Sequence, residues 1–304
     1  MVSQIKRGVL DMIGAARPSI ADPFLPNKVR DGRADEIREC IGCNICVSGQ
    51  LTHAPMRCTQ NPSMGEEWRR DWHPENIAAK GSDAKVLVVG AGPAGLEAAR
   101  AFCQRGYAVT LAEAGTELGG RVTSESALPG LSAWARVRDW RVGRLQEMAN
   151  VEIYRDSRLD ADQVREFGFS QVIVATGATW RKDGVGVTNP VPLPIAPEAR
   201  VYTPEDIYAG TPIAGPVVVF DDDNFYLGGV IAEKLRSGGL DVTLVTTHPT
   251  VSSWTANTLE QHRIQSHILE LGIDVVASHN LVRIEAGEIE LACLYSDRRR
   301  TVPA

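Results

Sequence analysis

Four cysteines near the amino terminus of the 304-residue chain are spaced so that they could bind a metal centre. Their pattern is C-x2-C-x2-C-x11-C, and the four residues are Cys40, Cys43, Cys46 and Cys58. Three thiolates spaced in this way can wrap one corner of a compact cluster, and a fourth can return after a loop. Gly42 lets the backbone pass close to inorganic sulfurs and point amides at them. The pattern therefore predicts a four-iron, four-sulfur cluster, [4Fe-4S].

The spacing is less typical of the two other common roles of clustered cysteines, a zinc site and disulfides. Zinc sites more often use two separate C-x2-C pairs, whereas the fourth cysteine here has no partner of its own. Disulfides are disfavoured because one tight cysteine group in an intracellular chain is more typical of metal binding. The other two cysteines, Cys103 and Cys293, fall in a predicted helix and a predicted strand and are expected to be ordinary buried thiols.

A second chemical signal is the pattern G-x-G-x-x-G, which follows the continuous apolar run at 86–89. An apolar run of this kind is typical of a parallel strand that is buried on both faces. The pattern consists of Gly90, Gly92 and Gly95, and a predicted helix starts within it. The amides at that helix start, including the amide of Ala94, would bind a pyrophosphate with the help of the helix dipole.

Further residues complete this nucleotide-binding pattern. The next predicted strand ends at Glu113, and an acid about 20 residues beyond the glycines can accept hydrogen bonds from an adenosine ribose. The loop that ends at Arg121 could close over the nucleotide. The segment 171–178 is predicted to be another buried strand, which ends in Thr176 and Gly177, where backbone can approach a ligand closely. The whole pattern predicts a site for ADP or FAD.

The second half of the chain repeats the order strand, helix, strand over 216–247. Where glycines would bind a dinucleotide, the loop instead carries three acids, Asp221, Asp222 and Asp223. Like charges about 4 Å apart repel by about 4 kcal/mol at an effective dielectric of 20, so these carboxylates oppose a diphosphate. We therefore expect a second nucleotide fold without a pyridine-nucleotide site, which disfavours NADPH as an electron donor.

The composition and charge of the chain indicate no further class of function. Its net charge of −6 indicates neither a nucleic-acid groove nor an anionic membrane surface. No apolar run approaches the roughly 20 residues that span a bilayer. The first residues are basic, but Asp11 interrupts the apolar stretch that a signal peptide needs. A cytoplasmic protein that binds neither nucleic acid nor membrane is expected.

Together, these motifs resemble the carboxyl-terminal part of the trimethylamine, dimethylamine and histamine dehydrogenase family. The resemblance rests on the cysteine spacing and on three further segments, namely WHPENI at 72–77, VVGAGPAGLEAAR at 88–100 and FDDDNFYLGG at 220–229. Members of this family join an old-yellow-enzyme-like FMN barrel to an iron–sulfur loop and two nucleotide-fold domains. The resemblance covers nearly the whole chain and implies that the chain is a fragment.

The resemblance implies a division of the chain into four parts. Residues 1–35 correspond to the end of an FMN-binding TIM barrel, with its last strand, and 36–80 hold the [4Fe-4S] cluster. Residues 81–195 form an incomplete, Rossmann-like ADP- or FAD-binding domain, and 196–304 form a second Rossmann-like domain without a glycine-rich loop. The expected fold class is therefore α/β. In the first part, the amides of Ala16 and Arg17, with the Arg17 guanidinium, would hold the FMN phosphate.

The function implied by the resemblance is that of an iron–sulfur flavoprotein oxidoreductase. The chain would be the electron-transfer portion of an amine dehydrogenase or demethylase that acts on a methylated amine or an N-methyl amino acid. Electrons would pass from FMN through the cluster to an acceptor like the electron-transfer flavoprotein. The partners are then this acceptor and the missing FMN barrel domain, and a homodimer is compatible with the sequence.

Two alternatives stay open at this point. One is an enoate or 2,4-dienoyl-CoA reductase-like flavoenzyme that takes hydride from NAD(P)H, although Asp221 to Asp223 oppose it. The other is a nucleotide-binding fragment without catalytic turnover. The sequence identifies no catalytic residue of its own in either case, because the substrate pocket would lie in the barrel.

Overall fold

The computed structural model describes residues 2–70 and 77–304, so nearly all of the WHPENI motif lies outside the described residues. The chain forms two compact units. The first unit consists of 1–119 and 136–175, and the second consists of 120–135 and 176–304. The four-part division predicted from the resemblance stays a prediction.

The amino-terminal part of the first unit is helical. It contains four short α-helices and one 3-10 helix: α1 (Val2–Lys6), α2 (Ala16–Ala21), α3 (Leu25–Arg30), the 3-10 helix Ala34–Glu36 and α4 (Ile45–Leu51). The prediction of a barrel strand near the amino terminus is wrong, because no strand precedes residue 85 within the described residues. A strand is stabilised by hydrogen bonds to neighbouring strands, and this segment pairs with none.

The first unit is built on a parallel four-stranded sheet with the strand order β3-β2-β1-β4. Its strands are β1 (Lys85–Val89), β2 (Ala108–Ala112), β3 (Val151–Tyr154) and β4 (Gln171–Val174). The helices beside it are α5 (Pro93–Gln104), α7 (Ala135–Gln146) and α8 (Ala161–Glu166). Val86, Val88, Leu96 and Leu111 are fully buried in its core. The predicted order of strand, loop, helix and strand is confirmed, and so is the α/β fold class.

Strand β4 lies at one end of this sheet and is more exposed than the sequence predicts. Val172 is 37% exposed and Val174 is 72% exposed, although both are apolar. Among the strands that the structure describes, only β1 pairs with β4, in the register Leu87 to Val172 and Val89 to Val174. The prediction of a buried strand is therefore wrong. An apolar run identifies a strand, but it cannot tell an edge position from a central one.

The second unit combines a parallel sheet with an antiparallel sheet. The parallel sheet has the order β5-β6-β7, and the antiparallel sheet has the order β10-β9-β8. The strands are β5 (Val217–Asp221), β6 (Val242–Thr246), β7 (Asp274–Val276), β8 (His279–Glu285), β9 (Glu288–Cys293) and β10 (Arg299–Pro303). The helices are α6 (Arg121–Glu125), the 3-10 helix Ser132–Trp134, α9 (Pro204–Tyr208), α10 (Leu227–Ser237), the 3-10 helix Ser253–Ala256 and α11 (Gln261–Glu270). The predicted repeat of strand, helix and strand is confirmed by β5, α10 and β6.

Two apolar cores stabilise the second unit. One contains Leu244, Ala232 and Ile268 and lies between the parallel sheet and its helices. The other contains Leu291, Val245 and further residues, and it packs beneath the antiparallel strands. None of the helices within residues 2–70 and 77–304 combines the length and apolar character that a membrane span requires.

Candidate functional site

The glycine loop between β1 and α5 has a different constraint at each of its three glycines. Gly90 has a φ of 99°, a conformation that side chains other than glycine rarely adopt. At Gly92, an added Cβ would meet nothing within 4 Å, so the space in front of the loop is open to a ligand. At Gly95, an added Cβ would lie 1.8 Å from the carbonyl oxygen of Gly90, so only glycine lets the helix approach the strand. These are the three roles that glycines play in a pyrophosphate loop.

The start of α5 supplies hydrogen-bond donors to this open space. Gly92 is the N-cap and Pro93 is the first helical residue, which has no N–H to satisfy. The next amides, on Ala94 and Gly95, belong to the first turn, where N–H groups have no partner within the helix. The amide of Leu96 donates to the carbonyl of Gly92 at 2.9 Å and begins the helical ladder. The loop therefore fits a pyrophosphate by shape and by donor direction.

The carboxylate of Glu113, the predicted ribose acceptor, is fixed beside the same loop. Its Oε2 accepts a hydrogen bond of 2.7 Å from the amide of Ala91, and its Oε1 accepts one of 2.8 Å from the amide of Gly115. Each carboxylate oxygen has two acceptor positions, so both can still accept a hydroxyl hydrogen. Glu113 follows directly after β2, at the carboxyl edge of the sheet, where such folds bind ligands.

The other three residues predicted to contact the nucleotide belong to the second unit. Arg121 begins α6, and its Nη2 donates to the carbonyl of Ala178 at 2.6 Å and lies 2.9 Å from Oε1 of Glu205. Thr176 and Gly177 follow β4 and are exposed, and Gly177 has a φ of 73°. An Arg121 side chain already paired with a carboxylate is a weaker candidate for a phosphate than the helix start, so its role stays a prediction.

The four cysteines of the predicted cluster occupy one segment of the first unit. Cys46 lies in α4 and is buried, whereas the other three are half-buried in the loops on either side. The amide of Gly42, which has a φ of 73°, donates to Sγ of Cys40 at 3.4 Å. The amide of Gln60 donates to Sγ of Cys58 at the same distance. Amides that point at sulfur are typical of the surroundings of iron–sulfur clusters.

The charges of the four thiols act on one another. Burial raises the pKa of Cys46, and the neighbouring thiolates of Cys58, Cys43 and Cys40 raise it further. Cys46 is therefore close enough to the other three thiols for electrostatic repulsion, which a nearby cation would relieve. Within residues 2–70 and 77–304, no three His, Cys, Asp or Glu side chains converge on a position suited to one metal ion. Four cysteine sulfurs in one segment, with amides directed at two of them, are the kind of donor set that an iron–sulfur cluster uses.

Two arginines on α7 and the buried Arg38 hold the backbone and side chains of this cysteine segment. Nη1 of Arg136 donates to the carbonyl of Cys40 at 2.9 Å. Nη1 of Arg141, a residue that is 5% exposed, donates to the side-chain oxygen of Gln60 at 3.3 Å. Nη1 of Arg38 donates to the carbonyl of Gln60 at 2.7 Å. Sequence reasoning missed these residues because their spacing follows no motif, and only the packing of α7 brings them to the cysteine loop.

The two residues predicted to hold the FMN phosphate lie at the start of α2. Ala16 and Arg17 are its first two residues, and both are exposed. The guanidinium of Arg17 donates to the side-chain oxygen of Asn44, so it is oriented toward the cysteine segment. A role in FMN binding stays a prediction.

The acidic loop of the second unit is partly buried. Asp221 is 2% exposed, and burial, with a smaller contribution from the charge of Asp223, raises its pKa to about 6. A Cβ added at Gly228, in the first turn of α10, would lie 2.5 Å from the carboxyl carbon of Asp221. The carboxyl group of Asp221 therefore already packs against the helix start at which a dinucleotide fold binds a phosphate.

The fold and the glycine loop define a protein with a nucleotide-binding fold. Residues 84–191 match the family described as pyridine nucleotide-disulphide oxidoreductase, and residues 202–302 match the OYE-like second alpha/beta domain. The chain is 42% identical to dimethylamine dehydrogenase from Hyphomicrobium sp. (strain x), over 98% of this chain and 41% of that protein. It is 33% identical to the multifunctional alkene reductase/demethylase OYE from Caballeronia cordobensis, over 79% of this chain and 33% of that protein.

A solved structure of histamine dehydrogenase from Rhizobium sp. 4-9 superposes with a TM-score of 0.97 at 53% identity. That match covers 100% of this chain and 47% of the histamine dehydrogenase. The chain belongs to the family of the dimethylamine and histamine dehydrogenases. It spans less than half the length of these relatives.

Proposed function

We propose that this chain is the electron-transfer portion of an iron–sulfur flavoprotein amine dehydrogenase. The observation that carries the proposal is the clustering of Cys40, Cys43, Cys46 and Cys58 in one segment, with amides directed at two of the sulfurs. The similarity to dimethylamine dehydrogenase and histamine dehydrogenase supports the same conclusion. The substrate class would be a methylated amine or an N-methyl amino acid.

The four cysteine thiolates would hold a [4Fe-4S] cluster, which supplies one-electron transfer when bound. The protein contributes ligands, hydrogen bonds to sulfur and a fixed loop. Arg136 holds the loop at the carbonyl of Cys40, and Gln60 holds it at Cys58. The acceptor would be a protein like the electron-transfer flavoprotein, and the location would be cytoplasmic.

Gly90, Gly92, Ala94 and Gly95 would bind the pyrophosphate of ADP or FAD. Glu113 is fixed by two amides and would accept the ribose hydroxyls. We assign Arg121, Thr176 and Gly177 to the same nucleotide as a proposal, and Ala16 and Arg17 to the phosphate of FMN held by a barrel domain.

The proposal is tested by purifying the chain without oxygen and measuring iron, sulfide and extracted nucleotide. We expect about four irons and four sulfides per chain, and one ADP or FAD. Cys40→Ser, Cys43→Ser, Cys46→Ser and Cys58→Ser should each lose most of the iron. Cys103→Ser is the matched control and should keep it, because Cys103 lies in α5 away from the cysteine segment. An iron-free wild-type chain after anaerobic reconstitution would overturn the proposal.

A second candidate function is an NAD(P)H-dependent enoate reductase. The observation in its favour is the similarity to the alkene reductase/demethylase. Asp221 argues against it, since its carboxyl group packs at the start of α10 where the second nucleotide would bind. Mixing the protein, reconstituted with its flavin, with NADPH under argon separates the two. Bleaching of the flavin absorbance would support the reductase, and unchanged absorbance would support the dehydrogenase. A chain with bound nucleotide but no iron would instead be a nucleotide-binding module.

A further inference from the structure

Gln60 is a buried polar residue beside the cysteine segment that belongs to none of the ligand sets described above. It is 2% exposed, and each of its polar groups has a partner. Its amide donates to Sγ of Cys58 at 3.4 Å, and its carbonyl accepts from Nη1 of Arg38 at 2.7 Å. Its side-chain oxygen accepts from Nη1 of Arg141 at 3.3 Å. Gln60 is therefore held from two sides by cations while its amide faces a cysteine sulfur.

The side chain of Gln60 also reaches a second cysteine through its neighbour Thr59. Nε2 of Gln60 donates to Oγ1 of Thr59 at 3.5 Å, and this oxygen lies 3.3 Å from Sγ of Cys43. With the cluster bound, Cys43 would be a thiolate with no proton to give, and the Thr59 hydroxyl would be the donor in this contact. By donating to Oγ1, Gln60 leaves the Thr59 hydroxyl hydrogen free to point at Cys43.

The two cations that hold Gln60 are themselves fixed. Arg38 is 3% exposed, and its guanidinium carbon lies 4.3 Å from the ring centroid of Trp140. Nε of Arg141 lies 2.8 Å from Oε2 of Glu97, in an ion pair that is not aligned as a hydrogen bond. Buried groups with several partners lose little freedom when they make one more contact, so they can hold Gln60 in one orientation.

We propose that Gln60 is a positioning residue that directs hydrogen bonds to the sulfurs of Cys58 and Cys43 and thereby raises the reduction potential of the cluster. The inference rests on the proposed function, because it assumes that these cysteines hold the cluster. Hydrogen bonds to the sulfurs stabilise the reduced cluster, which carries one more negative charge than the oxidised one. The chemical consequence is a cluster that accepts an electron more readily.

The test is a redox titration of the reconstituted chain, followed by the EPR signal of the reduced cluster. Thr59→Val removes the hydroxyl and keeps the shape, and we expect one-electron reduction to become about tenfold less favourable, which is 59 mV. Gln60→Met should lower the potential in the same direction. Thr59→Ser restores the hydroxyl and should keep the wild-type potential. Thr301→Val, in the exposed part of β10, is the matched control and should leave the potential unchanged.

Iron and sulfide are measured on every sample. If Thr59→Val and Gln60→Met contain about four irons per chain and keep the wild-type potential, the inference is overturned while the proposed function stands. If the wild-type chain binds no iron, the proposed function and this inference both fail. A lowered potential at full iron content in both Thr59→Val and Gln60→Met, with recovery in Thr59→Ser, supports the role of Gln60 and distinguishes it from a merely structural one. A lowered potential in Thr59→Val alone would show that the hydroxyl acts without Gln60 and would overturn the inference.

Discussion

Gly95 and Gly90 approach each other so closely that a single methyl group could not fit between them. An added Cβ at Gly95 would lie 1.8 Å from the carbonyl oxygen of Gly90 and 3.3 Å from Cβ of Ala175. This contact sets the distance between α5 and the end of β1, and so it places the amides of the first helical turn over the edge of the sheet. The geometry of the nucleotide loop depends on it.

Gly95→Ala should destabilise the first unit and abolish nucleotide binding. The new methyl group must push α5 away from a backbone carbonyl, which we expect to cost about 3 kcal/mol in the free energy of unfolding. Gly92→Ala is the matched control, because its Cβ would meet no protein atom within 4 Å. It should leave urea unfolding nearly unchanged and still weaken ADP binding, measured by calorimetry, because the methyl group enters the space for the pyrophosphate. Equal destabilisation by both variants would contradict this assignment of roles.

Glu97→Gln should destabilise the first unit, because it removes the negative charge that pairs with two buried cations. Glu97 pairs with Arg100 at 2.7 Å and with Arg141 at 2.8 Å, and removing one partner of a buried ion pair typically costs about 3–5 kcal/mol. Urea unfolding at pH 7 measures this loss. Glu147→Gln is the control, because Glu147 is 58% exposed and its pair with Arg144 should contribute less than about 1 kcal/mol.

The same pair should make stability depend on pH in the acid range. Burial alone raises the pKa of Glu97, but the hydrogen bond and charge of Arg100 and the charges of Arg141 and Arg38 outweigh burial, so the pKa is lowered. A lowered pKa in the folded state stabilises the protein above the unfolded-state pKa, and this stabilisation is lost as the pH falls through the folded-state pKa. The difference between wild type and Glu97→Gln should therefore shrink on acidification. A difference that stays constant below pH 4 would contradict this explanation.

Asp221→Asn should remove a pH dependence of the stability of the second unit. The sign of this dependence is opposite to that expected for Glu97, because the pKa of Asp221 is raised. The pKa of Asp221 is raised by burial to about 6, so the folded state prefers the protonated form. Protonated Asp221 stabilises the folded state fully below the unfolded-state pKa. As the pH rises toward 6, about 3 kcal/mol of this stabilisation is lost. Relative to Asp221→Asn, the wild type should lose this amount between pH 4 and pH 7 in urea unfolding. Asp297→Asn, at an exposed position, should follow the wild type.

The two cysteines outside the cluster segment should differ in reactivity. Burial raises the pKa of Cys103 to about 11, whereas hydrogen bonding with Ser296 lowers the pKa of the half-buried Cys293. Because the thiolate is the nucleophile, iodoacetamide at pH 8 should modify Cys293 in the native protein and spare Cys103. Mass spectrometry of tryptic peptides measures both. Modification of Cys103 at the rate of Cys293 would show that α5 opens under native conditions.

The sequence expectation for these two thiols was right only for Cys103. The predicted elements are correct for both, since Cys103 lies in α5 and Cys293 lies in β9. The predicted burial is correct for Cys103 and wrong for Cys293, which is half-buried. Cys293 ends β9 near the turn into β10, where the last residue of a strand is covered by fewer neighbours. Burial at the end of a strand depends on what packs over it, and this information is absent from the local sequence.

Local patterns determined the parts of this protein that depend on neighbours in the chain. The spacing of Gly90, Gly92 and Gly95 after an apolar run specifies a strand, a tight turn and a helix start, because each constraint acts within a few residues. The cysteine spacing and the order of strand, helix and strand in both halves are local in the same way. These features also carry the family relationship.

Tertiary structure alone decided which residues meet across long distances. It placed Arg141 against Gln60, 81 residues away, and left Val174 exposed at the edge of the sheet. It also made the first residues helical, since a strand there has no neighbour with which to share hydrogen bonds. Contacts of this kind depend on packing between elements, and the free energy of packing is not encoded in the spacing of any single motif.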